Sequence, residues 1–196
     1  MERCQWLCAA ATTISLFGIR EAVAQEPARL SVRVIIHDSA SVPVDILETA
    51  RHQTAATFAK AGIDLAWSSA GNCRSDGDAR FCIQVLLRPR DRQSAPGPRR
   101  IMGMALAADQ LRAVLSLYFD AVTDVARRYG SPRGDVLGLA LSHEMGHVLL
   151  PPPSHTSSGI MQASWEGDDL RHVLLGDASF TDEQGLAMRT RLAARQ

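Results

Sequence analysis

The chain has 196 residues, of which 46% are hydrophobic and 21% are charged. These fractions are close to globular averages, and they exclude a disordered tail, a collagen-like rod and a disulfide-packed miniprotein. Basic and acidic residues number 21 each, so the formal net charge is zero. A protein that binds nucleic acid through phosphate contacts needs a positive excess, and we therefore expect no nucleic-acid partner.

The N-terminal segment has the layout of an export signal. Residues 6–19 form an apolar run of 14, and the small-residue triplet Ala22-Val23-Ala24 follows closely. A membrane-spanning helix needs about 20 apolar residues, so this run favours a secretory signal peptide over residues 1–24. An uncleaved N-terminal anchor is the alternative. We expect a secreted or periplasmic, monomeric protein with no membrane contact after cleavage, and a single domain over residues 25–196.

Two cysteines, Cys73 and Cys82, lie in the mature chain, whereas Cys4 and Cys8 leave with the signal peptide. A polar segment rich in Asp and Gly separates Cys73 from Cys82. In an oxidising compartment this arrangement favours a disulfide that closes the loop. Two free thiols are the alternative. Zinc pairs usually have the spacing C-x2–4-C, which is absent here.

The first elements read as a strand, a helix and a strand. Apolar residues alternate over Leu30–Ile36 and over Ile63–Trp67, which predicts strands. A helix is predicted between them from Pro43 to Ala61, with Gly62 as its stop. The short connection indicates a parallel βαβ unit. Phe81–Leu87 reads as a third strand.

The next segment, Arg88–Arg100, contains three prolines and many arginines. It reads as a solvated surface loop, and contact of its basic charge with an acidic partner is the alternative. Ile101–Ala107 is predicted to be a fourth strand. Gly103 within it indicates a sheet edge or a bulge.

Three helices are predicted in the second half of the chain. One runs from Asp109 to Tyr129, and one from Asp135 to Leu150, which is apolar nearly all round and therefore buried. Three prolines end the second helix. A loop follows it, and the last helix covers Thr181–Ala194, with Thr181 and Gln184 placed as a capping box. These elements predict an α+β domain with a small twisted mixed sheet and packed helices.

The buried helix carries the chemistry, in the sequence His143-Glu144-Met145-Gly146-His147. Residues i and i+4 lie on one helix face, so the two imidazoles can share one cation. Glu144 lies about 100° round the helix and can reach a water on that cation. Zinc lowers the pKa of such a water to about 7, and a carboxylate can take its proton. The alternative is a pair of hydrogen-bonded core histidines with Glu144 facing the surface.

A catalytic zinc ion usually has three protein ligands plus water, so a third ligand is needed. His155 is favoured because it lies in a polar loop just beyond the proline stop. Glu166 is the leading rival. The other rival ligands are two carboxylates further along the chain, Asp168 and Asp169. The remaining histidines, His37, His52 and His172, are interpreted as surface or packing residues.

An HExxH helix, a third histidine and a methionine-bearing turn together resemble the metzincin metallopeptidases. The stretch also looks like small secreted bacterial zincin-like proteins, and the resemblance covers residues 135–185. It implies a zincin-like fold with one Zn²⁺ per chain, held by His143, His147 and His155. It also implies Glu144 as the general base and Met161 as the turn methionine that packs beneath the metal.

The sequence departs from the metzincin pattern in the loop before the third histidine and in one predicted helix. That pattern places five residues between the second and third histidine, whereas seven lie between His147 and His155 here. Leu150 stands at the expected glycine, so the loop must turn differently. In addition, the predicted helix over Asp109–Tyr129 is not an expected metzincin element.

The leading interpretation is a secreted zinc-dependent peptidase whose substrate is a peptide or protein. The Ile101–Ala107 strand is the candidate edge for pairing with an extended peptide. One alternative is a zinc hydrolase of another amide, such as a cell-wall peptide. Another is a zinc-stabilised binding module without turnover. Trp165 is interpreted as a packing residue, with a wall of the substrate cleft as the alternative.

Overall fold

The structure is a computed structural model. It describes residues 30–68, 71, 73, 81–90, 101–109, 111–165, 167–172, 175 and 179–195. The predicted signal peptide and most of the predicted basic loop lie outside these residues. Within the described ranges, no helix is both long and apolar enough to cross a membrane.

Five strands form one mixed sheet in the order β2-β1-β3-β5-β4. The strands are β1 (Leu30–Asp38), β2 (Ile63–Ser68), β3 (Cys82–Arg88), β4 (Gly103–Ala108) and β5 (Arg112–Tyr118). The first four in sheet order are parallel, and β4 is an edge strand antiparallel to β5. The predicted α+β class, the mixed sheet and the parallel βαβ unit are confirmed, and β4 is the edge that Gly103 indicated.

The helices pack around a central one. They are α1 (Val44–Lys60), α2 (Phe119–Tyr129), α3 (Arg133–Leu149), α4 (Asp168–His172) and α5 (Asp182–Ala193). α3 contacts α1, α2 and α5 and also packs against β4 and β5. It is buried along almost its whole length, as its apolar sequence predicts. The helix that carries the HExxH motif is therefore the centre of the core.

The predicted helix over Asp109–Tyr129 is wrong in its first half. Arg112–Tyr118 forms β5, and only Phe119–Tyr129 is helical. The Asp109 side chain accepts hydrogen bonds from the backbone N–H groups of Leu111 and Arg112, at 2.9 and 2.7 Å. A helix N-cap does the same, but here the carboxylate stabilises the turn between β4 and β5. Over seven residues the apolar pattern fits both periods, and the partner strands β3 and β4 decide the outcome.

The predicted disulfide between Cys73 and Cys82 is present, with Cα atoms 5.7 Å apart. Cys82 is the first residue of β3, and its backbone N–H donates to the Leu111 carbonyl at 2.8 Å. The bridge therefore ties the polar connection to the start of a central strand.

The C-terminal helix α5 begins with the predicted capping box. The Gln184 N–H donates to Thr181 Oγ1 at 3.2 Å, and the Thr181 N–H donates to Gln184 Oε1 at 3.0 Å. Further along, Arg189 donates to the Ala61 carbonyl and Arg191 to the Leu150 carbonyl, each at 2.7 Å. Because Ala61 and Leu150 directly follow α1 and α3, α5 ties together the carboxyl ends of the two packed helices.

Candidate metal centre

Close packing between α1 and α3 fixes the rotation of α3 about its own axis. A Cβ atom at Gly134 would lie 2.6 Å from Thr49 Cβ, and one at Gly138 would lie 3.1 Å from the Ala50 carbonyl oxygen. The two glycines are one helical turn apart and leave room for the α1 backbone. With the helix held in this orientation, His143 and His147 project from a different face.

The three predicted histidines come together, and we call His143, His147 and His155 the histidine cluster. One ring nitrogen from each lies within 4.8 Å of the others. The ring centroids of His155 are 5.4 Å from those of His143 and 4.6 Å from those of His147. Although seven residues separate His147 from His155, the chain therefore returns His155 to the end of α3.

Hydrogen bonds orient the two rings on α3. His143 Nδ1 donates to the Ile160 carbonyl at 2.8 Å. A carbonyl only accepts, so in the neutral ring Nε2 carries the lone pair. His147 Nδ1 lies 2.6 Å from Ser154 Oγ, and the two Nε2 atoms are 2.9 Å apart. The Nε2 atoms of the two α3 histidines therefore face one another, and each ring has a hydrogen-bond partner at Nδ1 of the kind that metal-ligating histidines usually have.

Burial favours the neutral form of the two α3 imidazoles, His143 and His147. It lowers the pKa of His143 to about 4, against the opposing effect of the Ile160 hydrogen bond, and the charges of His147 and His155 lower it further. Burial, and then the charge of His155, also lower the pKa of His147. Neutral imidazole is the form that binds a metal, so the donor set fits a zinc ion.

Glu144 lies on the side of α3 that faces the edge strand. Its side chain contacts Gly103 of β4, where a Cβ atom would lie 2.6 Å from Glu144 Cγ. Burial raises the pKa of Glu144 to about 7. Among the described residues, none donates a hydrogen bond to this carboxylate and none forms an ion pair with it. Within the described ranges, the group is therefore buried beside the histidine cluster without a structural partner.

Met161 is fully buried beneath α3. A Cβ atom at Gly146, between the two α3 histidines, would lie 2.4 Å from Met161 Sδ and 3.0 Å from Phe180 Cε1. The thioether therefore packs against the backbone of the HExxH segment itself.

Trp165 packs against the histidine cluster. Its ring stands edge-on to that of His143, with centroids 4.9 Å apart. The indole N–H donates to the Gly159 carbonyl at 3.3 Å, one residue before the carbonyl that accepts from His143. The indole therefore braces both the ring and the turn that orients it.

Sequence reasoning missed Ser154 as the partner of His147 and Gly103 as the seat of Glu144. Both contacts depend on the loop path or the sheet order, which no local pattern encodes. Only the small size of Gly103 signalled a close approach.

No rival ligand whose side chain the structure describes belongs to the histidine cluster. Asp168 is exposed, and its carboxylate pairs with Arg171 at 3.4 Å. Glu166 lies outside the described residues, as do the side chains of Asp169 and His172. His37 and His52 are exposed, as predicted.

Comparison with known proteins identifies the fold. No family model matches the chain, and no curated protein matches it. Among solved structures, the chain is similar to the archaemetzincin of Methanopyrus kandleri, with 14% sequence identity and a TM-score of 0.50. The similarity covers 87% of this chain and 99% of that one. The α+β architecture is therefore zincin-like, with a histidine cluster formed by α3 and the loop after it.

Proposed function

We propose that this protein is an exported zinc-dependent peptidase of the metzincin-like type. The similarity to archaemetzincin and the histidine cluster support a zinc-dependent hydrolase. One observation carries the proposal further. Ring nitrogens of three histidines converge beside a buried carboxylate that has no partner among the described residues, and that carboxylate lies against the edge strand of the sheet.

In this proposal His143, His147 and His155 hold one zinc ion. When bound, zinc acts as a Lewis acid toward a carbonyl and lowers the pKa of a water. Structural zinc sites usually close with four protein ligands, whereas catalytic ones use three. The described residues bring together three, which favours the catalytic alternative over a zinc-stabilised binding module.

Glu144 is the proposed general base. Its carboxylate accepts a proton from the attacking water as the new C–O bond forms at the peptide carbonyl. The same group then donates that proton to the amine nitrogen as the C–N bond breaks. Burial raises the pKa of this carboxyl group, and a raised pKa favours its holding the proton between the two steps.

The proposed substrate is an extended peptide that pairs with β4. The Tyr118 N–H donates to the Met102 carbonyl at 2.8 Å, and Gly103 is the next residue in the register with β5. Backbone groups alternate in direction along a strand, so the N–H and C=O of Gly103 face the free edge. An added peptide strand would thus bond to Gly103 directly beside Glu144.

Two other activities stay distinguishable from this one. A zinc hydrolase of another amide, such as a cell-wall peptide, would use the same residues on a different substrate. A binding module would hold zinc and ligand without turnover. The proposed secreted or periplasmic location is in keeping with the Cys73–Cys82 disulfide, since such bonds persist in oxidising compartments.

The test combines metal analysis with digestion of a proteome-derived peptide library. The wild type, Glu144→Gln and the surface control Glu48→Gln are compared. We expect about one zinc per chain in all three, and turnover reduced by at least about 100-fold only in Glu144→Gln. A wild type that binds zinc but cleaves no peptide would favour the binding module. Loss of zinc in Glu144→Gln would show that this residue is a ligand.

A further inference from the structure

Positive charge is concentrated where the chain enters the edge strand. Residues 88–100 contain five arginines and one aspartate, although the whole chain has a net charge of zero. Arg99 and Arg100 lead directly into Ile101, two residues before β4 begins. The described part of this segment, residues 88–90, shows how two of the arginines are held.

Arg88 and Arg90 both lie against the ring of Tyr118. Their guanidinium carbons are 5.3 and 5.7 Å from the ring centroid. Arg88 Nη2 donates to the Tyr118 hydroxyl at 3.3 Å, and Arg90 Nη2 donates to the Ile101 carbonyl. Each guanidinium is thus fixed by a ring contact and a hydrogen bond, so binding an anion would cost little side-chain entropy.

Within the described residues, neither guanidinium group forms an ion pair with a carboxylate. Asp120 is close, but it accepts from the Arg90 backbone N–H, at 3.0 Å. Arg88 Nε is buried without a partner. Two neighbouring cations with unused N–H donors match the charge and the fork geometry of a carboxylate.

The arginine pair lies a short distance from the candidate catalytic residues. Ile101, which accepts from Arg90, is two residues before Gly103, and Gly103 contacts Glu144. Two residues of a strand span about 7 Å. Because side chains alternate along β5, Leu117 faces Glu144 and Tyr118 faces the opposite side of the sheet. A peptide on β4 would therefore turn every second side chain toward the arginine pair.

We propose that Arg90, supported by Arg88, binds a carboxylate of the substrate within about two residues of the scissile bond, so that the enzyme selects acidic peptides. This inference rests on the proposed peptidase function. The carboxylate belongs either to an Asp or Glu side chain or to the C-terminus of the peptide. Both sources present the same chemistry to the guanidinium groups.

The experiment starts from a quenched fluorescent peptide that the wild type cleaves. Asp, Asn and Lys are placed in turn at each of three positions on both sides of the scissile bond, and every peptide is made with a free and an amidated C-terminus. The enzymes are the wild type, Arg90→Gln, Arg90→Glu and the exposed control Arg128→Gln. Zinc content confirms that each variant is folded.

We expect the wild type and Arg128→Gln to prefer Asp over Asn at one position by about tenfold in kcat/KM. Arg90→Gln should lose this preference, so that its kcat/KM values for the Asp and Asn peptides become equal, and Arg90→Glu should prefer Lys. If the free C-terminus is the ligand, the wild type and Arg128→Gln should instead cleave the free-acid peptides about tenfold faster than their amides, and Arg90→Gln should lose that difference. Equal cleavage of Asp and Asn peptides together with equal cleavage of free and amidated peptides by the wild type, or an unchanged preference in Arg90→Glu, overturns the inference. A wild type that cleaves no peptide overturns the peptidase function and this inference with it.

Discussion

Gly103 of the edge strand lies directly against Glu144 of α3, and no larger residue fits there. A Cβ atom at Gly103 would be 2.6 Å from both Glu144 Cγ and Leu117 Cδ2. Leu117 is fully buried in the core and cannot give way, so Gly103→Ala must displace the Glu144 side chain. We expect kcat to fall at least about tenfold, since misplacement of a catalytic group is costly, with zinc content unchanged.

The matched control for this prediction is Ala105→Ser, at an exposed position of the same strand. It should retain wild-type kcat. Wild-type kcat in Gly103→Ala would show that Glu144 need not occupy its present position.

The third ligand is tested by His155→Ala, with exposed His52→Ala as its control. Removing one of three imidazoles should weaken zinc binding by more than about 100-fold, beyond the effect expected of an outer-sphere partner. Competition with a chelator of known affinity measures the change. Wild-type zinc affinity in His155→Ala would transfer the role to another residue, with Glu166 first.

Ser154 is expected to increase zinc affinity by orienting His147. Its hydroxyl is the partner of His147 Nδ1, at 2.6 Å, and fixes the direction of the ring. Ser154→Ala should weaken zinc binding by about tenfold, as loss of such partners typically does. Ser154→Thr, which keeps the hydroxyl, should restore the affinity, and the exposed control Ser157→Ala should not change it. Equal affinities in all variants would remove Ser154 from the metal centre.

Export and the disulfide are tested together by the intact mass of the protein. We expect a chain that begins at Gln25 and lacks two hydrogens because Cys73 and Cys82 are joined. Alkylation without reduction should label neither cysteine. A mass that includes residues 1–24 would exclude cleavage at Ala24.

The sequence predicted those parts of the molecule that local patterns determine. The burial of α3, the HExxH face and the capping box of α5 each follow from residues within a few positions of one another. β5 could not be predicted in this way, because an Asp followed by apolar residues is also typical of a helix start. Only pairing with strands β3 and β4 distinguishes a strand from a helix here. The contact between Gly103 and Glu144 joins residues 41 positions apart, and the sheet order alone creates it.

The two arginines of α5 have a consequence for when the protein matures. A nascent chain that has emerged as far as Met161 already contains every proposed zinc ligand. It still lacks Arg189 and Arg191, whose bonds to Ala61 and Leu150 hold the ends of α1 and α3 together. His147 lies less than one helical turn from Leu150, so its position depends on a bond from a residue 41 positions after Leu150. Tight zinc binding is therefore expected only once α5 has been synthesised and packed, and premature termination within α5 should yield a protein that has all three histidines but binds the metal weakly.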